Sequence, residues 1–201
     1  VAECHVPCLK SAGRMGMAYD ARLSRTKLYL NNPAEYFNTL VTEIKAFIKK
    51  AERKGLTPLV RLNGTSDIRY ENIGFVFDGV YFRNIFEYFP DLQFYDYTKI
   101  PNRFNSMNGL SDFPKNYDLT FSYSGADGFQ KYNDRALKAG VRIAAVFDRV
   151  ENIPVTFHKR KVVSGDETDV RHLDAQNVIV ALYAKGKARK DTSGFVIQGG
   201  A

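Results

Sequence analysis

The chain has 201 residues, 44% of them apolar and 25% charged, which suits one globular domain with a sizeable core and excludes a disordered protein. No run reaches the about 18 apolar residues of a membrane-spanning helix, and the start lacks the charged-then-apolar pattern of a secretory leader, so the expectation is a cytoplasmic protein with no membrane partner. A formal net charge of +7 favours an anionic partner, either a small anionic ligand or nucleic acid, without choosing between them.

Val1 stands where a start methionine would, and Cys4 lies almost at the edge of the chain. Both lead us to expect a natural start further upstream, with a first strand of the fold there. The first clear element is a helix over 33–54. Asn32 suits its cap and Pro33 its first turn, and Phe37, Leu40, Val41, Ile44, Phe47, Ile48 and Ala51 recur at the spacing of one buried face. Gly55 ends it after a basic last turn, Arg53 and Lys54. PLVRLNG (58–64) reads as a short apolar strand, and an aromatic helix is expected near 80–89, stopping before Pro90.

LQFYDYTK (92–99) reads as the second strand. The stretch 100–117, rich in Asn, Pro, Ser and Gly, is a long connection of the kind that serves as a lid. YDLTFSYS (117–124) is the third strand, followed by a helix over 127–139 with Phe129, Tyr132, Ala136 and Leu137 on one face, ended by Gly140. VRIAAVFD (141–148), a short KRKVVSGD (159–166) and NVIVALYAK (177–185) complete the strands. Strand–helix–strand rhythm with near-continuous apolar strands predicts an α/β fold whose parallel sheet is covered on both faces. A full eight-stranded barrel takes about 250 residues. The expected architecture over 1–201 is therefore a single domain, a partial or compact β/α barrel, with an open doubly wound sheet as the alternative.

Polar clusters recur where these strands end, and the carboxyl ends of parallel strands are where β/α proteins build their sites. RLNGTSD (61–67) puts Asn63, Ser66 and Asp67 after a strand, with Gly64 permitting close backbone approach, although such residues also fold into turns that bond their own backbone. FYDYTK adds Asp96, Tyr97 and Lys99, TFSYSG adds Ser122 and Ser124, and VFD adds Asp148. SGDETD groups Asp166, Glu167 and Asp169, either as oxygen ligands for a hard cation or as a charge network with Arg171 and nearby lysines. Asp67, Asp96, Asp166 and Asp169 are the carboxylates available for acid–base chemistry. The remaining residues, with Lys185 and Lys187 to neutralise a phosphate or carboxylate, are the ligand-binding candidates. HKRK (158–161), KGKARK (185–190), Arg142 and Arg149 form the alternative, a phosphate-tracking face for nucleic acid. No phosphate-cradling, hydrolase or zinc-protease signature occurs, no metal site is assigned and no cofactor follows from the motifs.

The start, Cys4-His-Val-Pro-Cys8-Leu-Lys-Ser11, resembles the C-x3-C-x2-C signature of radical S-adenosylmethionine enzymes, with Ser11 where the third cysteine would stand. Two thiols alone do not hold such a cluster, so free thiols, a disulfide and a metal remain open for the pair. As an ordered set, C-x3-C-L-x-S-A-G-R (4–14), RLNGTSD (61–67), FYDYTK (94–99), GDETD (165–169) and KGKARKDTSGFV (185–196) are similar to a family of tailed-phage and marine viral proteins of unknown activity. The resemblance implies a viral origin, a host-cytoplasmic location and a small β/α domain. It implies no reaction.

Overall fold

A computed structural model describes residues 19–104 and 113–199. The cysteine pair and the middle of the 100–117 connection lie outside the described residues.

Helix α1 spans Tyr19–Asn31 and α2 Pro33–Glu52, with Asn32 capping α2 through a side chain that accepts from the Glu35 amide at 3.2 Å. The apolar stripe of α2 buries Phe37, Val41, Ile44 and Ala51, whereas Phe47, expected on that face, is 42% exposed. Gly55 follows at φ 63, a left-handed conformation that glycine takes without steric cost.

The strands are β1 (Leu59–Val60), β2 (Phe75–Phe77), β3 (Val80–Phe82), β4 (Gln93–Thr98), β5 (Tyr117–Ser122), β6 (Ile143–Phe147), β7 (Thr156–Phe157), β8 (Arg160–Ser164) and β9 (Ile179–Tyr183). Helix α3 (Ile85–Tyr88) precedes β4, and α4 (Gln130–Lys138) links β5 to β6. The aromatic helix expected near 80–89 is shorter than expected: α3 covers 85–88, and 80–82 is the second strand of a hairpin with β2. Asp78-Gly79, with φ 49 and 80, makes the tight turn whose twist matches two strands, and only α3 remains helical.

Seven strands form one sheet in the order β1-β4-β5-β6-β9-β8-β7. All neighbours pair in parallel except β7 with β8, which close an antiparallel hairpin. Because side chains alternate across a strand, the two faces read directly from the sequence. Phe94, Leu119, Phe121, Ile143, Ala145, Phe147, Ile179 and Ala181 share one large apolar cluster with Phe37, Val41 and Ile44 of α2, Ile85 and Phe86 of α3 and Ala136 of α4. The alternate residues Tyr97, Ala144, Val163, Val180 and Leu182 form a small second cluster on the opposite face. The helix-borne part of the core therefore sits on one face, in contrast to the two-sided cover that apolar strands suggested.

The second face carries charge where a sandwiched sheet would carry aliphatics. Arg142, fully buried, donates to Thr120 Oγ1 at 2.9 Å and Asp174 O at 2.6 Å, and pairs with Asp118. The β8–β9 connection, with a 3-10 turn at Arg171–Leu173, thereby covers the amino-terminal half of this face. Towards the carboxyl ends the face opens.

Candidate functional site

The opening is a cleft of about 840 Å³. Every parallel strand contributes to it: Arg61 and Asn63 after β1, Tyr97 to Lys99 at the end of β4, Ser122 on β5, Ala144 and Val146 on β6, Gly165 to Asp169 after β8, and Leu182 to Lys185 at the end of β9. The β8–β9 connection comes within electrostatic reach of Tyr97 on β4. Burial first of all pushes the Tyr97 phenol up to about 12, and Arg171, Asp169 and Arg61 all act on it electrostatically.

The loop after β1 is built from its own polar residues. Asn63, 2% exposed, accepts from Ser66 Oγ and the Ile68 amide through Oδ1, both at 2.8 Å. Its Nδ2 donates to Ile68 O and to Asp96 Oδ2, both at 3.0 Å. Asp67 ties this loop to the next strand. Its Oδ2 accepts from Thr98 Oγ1 at 3.0 Å and the Lys99 amide at 2.7 Å, while its Oδ1 accepts from Arg103 Nη1 at 2.8 Å. Arg103, with a side chain 0% exposed, also forks onto both oxygens of Glu71 at 2.9 and 2.8 Å and reaches the Tyr117 hydroxyl at 2.9 Å. Both carboxylate oxygens of Asp67 are committed to holding the rim.

Asp96 lies beneath the cleft. It is 1% exposed and accepts from the Asn63 amide at 2.8 Å and the Tyr117 hydroxyl at 2.9 Å. Burial pushes its carboxyl up to about 6 against the pull of those bonds. Such a group positions the loop and does not line the cleft. Ser124 is also buried, bonded through its carbonyl to Asn133 Nδ2 of α4 at 2.7 Å. Asp148 sits on the outer edge, where the Asn152 side-chain amide, at 2.7 Å, holds its carboxyl below the ordinary range. Arg171 is fully buried in an ion pair with Asp174 at 3.0 Å. These four expected site residues do not line the cleft. Two members of the expected basic face are also removed: Arg142 is buried, and Arg160, 9% exposed, donates to Val141 O at 2.6 Å and to Leu137 O.

Asn63, Ser66, Asp67, Tyr97, Lys99, Ser122, Asp166, Asp169, Lys185 and Lys187 do line it. Lys99 Nζ donates to Ser122 O and Oγ, both at 3.0 Å, and lies 4.7 Å from the centre of the Phe195 ring. Lys185 pairs with Asp166 at 2.5 Å, a contact that raises its ammonium pKa, and stands 4.4 Å over the Tyr183 ring. Arg61 stacks on Tyr97 at 4.7 Å. Arg61, Tyr183 and Phe195 were missed in the sequence. Arg61 follows β1 immediately, so the strand-end rule that selected Asn63 would have found it. Phe195 arrives from the chain terminus and carries no local signal. Among the described residues no group of three or more His, Cys, Asp or Glu side chains converges as a metal would require.

Fold and cleft together define a mixed α/β protein with a mostly parallel seven-stranded sheet whose carboxyl ends line an aromatic-walled cleft bearing the cations Arg61, Lys99, Lys185 and Lys187 and the carboxylates Asp67, Asp166, Glu167 and Asp169. The family described as Gene product 88, a phage-type family, matches residues 2–199, and the chain belongs to it. No curated protein and no solved structure matches. Among the described residues no helix is long and apolar enough to cross a membrane.

Proposed function

We propose that this protein holds a small anionic ligand in the cleft, at the carboxyl rim of a partial β/α barrel. The convergence of Arg61, Lys99, Lys185 and Lys187 on one cavity carries the reading; of the carboxylates that share the cavity, Asp67 is matched by Arg103 and Asp166 by Lys185, while Glu167 and Asp169 stand exposed. Six parallel strands whose carboxyl ends line one cleft, with the helix-borne core on the opposite face of the sheet, support the barrel description. Cations on low-dielectric walls concentrate field lines and attract anions. The exposed loop 64–66 adds backbone amides with no acceptor among the described residues, a further set of donors for an anion. Asp166 accepts from the Tyr183 amide at 3.1 Å and from Lys185, so Asp169, exposed in the cleft, is the expected carboxylate left for acid–base chemistry in an enzyme on this scaffold.

Thermal unfolding in the presence of phosphate, pyrophosphate and citrate tests the reading. A ligand at 100 times its dissociation constant stabilises by about 2.7 kcal/mol, enough to raise Tm by several degrees. The double variant Lys185→Ala/Lys187→Ala is expected to keep its own Tm within about 2 degrees and to lose at least tenfold in anion affinity, since both lysines are exposed. Absence of any anion-dependent shift overturns the proposal. Tight single-stranded DNA binding with a steep salt dependence, unaltered by the double variant, would instead favour a nucleic-acid partner on the outer basic turns.

A further inference from the structure

Building on the anion reading, we infer that the ligand is a nucleotide, with its planar ring against Arg61 and its phosphates towards Lys99, Lys185 and Lys187. Size is the first reason. A cleft of about 840 Å³ is far larger than a lone phosphate or small carboxylate needs, and lies in the range of sites that enclose a cofactor-sized molecule.

The second reason is how the lining is divided. Tyr97, Val146, Leu182, Tyr183 and Phe195 make apolar and aromatic walls, so a wholly polar ligand would leave most of the surface unmatched. The cations are set on those walls as stacked pairs, with Arg61 on Tyr97 at 4.7 Å, Lys185 on Tyr183 at 4.4 Å and Lys99 on Phe195 at 4.7 Å. A guanidinium is planar and has two faces. One face of Arg61 rests on Tyr97, and the partly exposed group borders the cleft, which suits its other face to a heteroaromatic ring.

The third reason is the carboxylate beside that pair. Asp169 is exposed, lines the cleft and acts electrostatically on the same Tyr97 phenol as Arg61 does. A carboxylate there accepts hydrogen bonds from the hydroxyls of a ribose, the group that joins ring to phosphate. Ring stack, hydroxyl acceptor and phosphate cations thus occur in one cavity.

Isothermal titration of the full chain with pyrophosphate, ribose 5-phosphate and nucleoside diphosphates tests the inference. Nucleoside diphosphates are expected to bind at least tenfold more tightly than pyrophosphate. Arg61→Lys, which keeps the charge and removes the planar face, is expected to abolish that preference, with its far-UV circular dichroism and a Tm within about 2 degrees of the wild type verifying that the variant is folded. Equal affinity for pyrophosphate and nucleoside diphosphates, or a preference that survives Arg61→Lys, would overturn the nucleotide inference and leave the anion reading standing. No binding of any of these ligands would overturn both.

Discussion

Arg103, Arg142 and Arg171 are among the largest fully buried side chains of the described residues, and each is matched by carboxylates: Asp67 and Glu71, Asp118, and Asp174. Burying a guanidinium is tolerated only with such partners, because an isolated charge in the interior loses several kcal/mol of hydration. Asp96 is the contrasting case, a buried carboxyl held by an amide and a hydroxyl. Its pKa is raised from 3.8 to about 6, so between those pH values the folded protein retains a proton that the unfolded chain has released. Stability is therefore lost as pH rises through this window, and the group's contribution falls by about 3 kcal/mol. Urea midpoints of the wild type and Asp96→Asn, compared from pH 4 to 7, should converge or cross rather than run parallel. Parallel profiles would mean that Asp96 titrates alike in both states.

At the level of elements, the carboxyl-terminal segment is a strap over the sheet. A 3-10 turn at Gly186–Lys190 leads to Asp191, whose Oδ2 accepts from the Val196 amide at 2.9 Å, and Ile197 then pairs in parallel beside Phe147 at the end of β6. Phe195 on this strap roofs the cleft. The strap approaches the loop after β5 backbone to backbone, since a Cβ on Gly125 would lie 2.7 Å from Gly194 O, while Gly194 itself has φ 83. Neither loop can move aside cheaply, so Gly125→Ala is expected to destabilise by about 1–3 kcal/mol. It should also expose the segment 186–199 to limited proteolysis ahead of the rest of the chain. An unchanged cleavage pattern would show that the strap stays seated without this contact.

The molecule as a whole stands on β4, β5, β6 and β9, the strands with a parallel neighbour on each side, whereas β1 and β7 are the edges and have two residues each. Amide hydrogen exchange should accordingly be slowest in the four central strands, opening only with global unfolding, and fast in β1 and β7 through local opening. Comparable protection in β1 would point to an additional strand covering that edge. Of the residues behind the net charge of +7, Arg142 and Arg160 are withdrawn into the fold.

The strands at 92–99, 117–124, 141–148 and 177–185 and the helix at 33–54 were legible because each is specified locally, by apolar periodicity, an Asn-Pro cap or a closing glycine. The Phe75–Phe82 hairpin was hidden by its own aromatic density, although Asp78-Gly79 announces it. Strand-end polarity also marked much of the cleft, because parallel strands deliver their carboxyl ends to one side wherever they lie in the sheet. Which of those polar residues face a ligand was not local information. Asp96 and Tyr97 are adjacent in sequence, yet strand alternation sends the first into a buried network and the second to the cleft. The strand order, with β9 inserted between β6 and β8, and the approach of the β8–β9 connection to Tyr97 depend on contacts between residues far apart in the chain, such as Ile143 with Ile179 and Tyr97 with Asp169. Sequence by itself therefore determined the elements and the rim, both products of short-range stereochemistry and hydrophobic patterning. Tertiary structure decided the strand order and the division of polar residues into buried supports and cleft lining, since burial and pairing are properties of the packed chain.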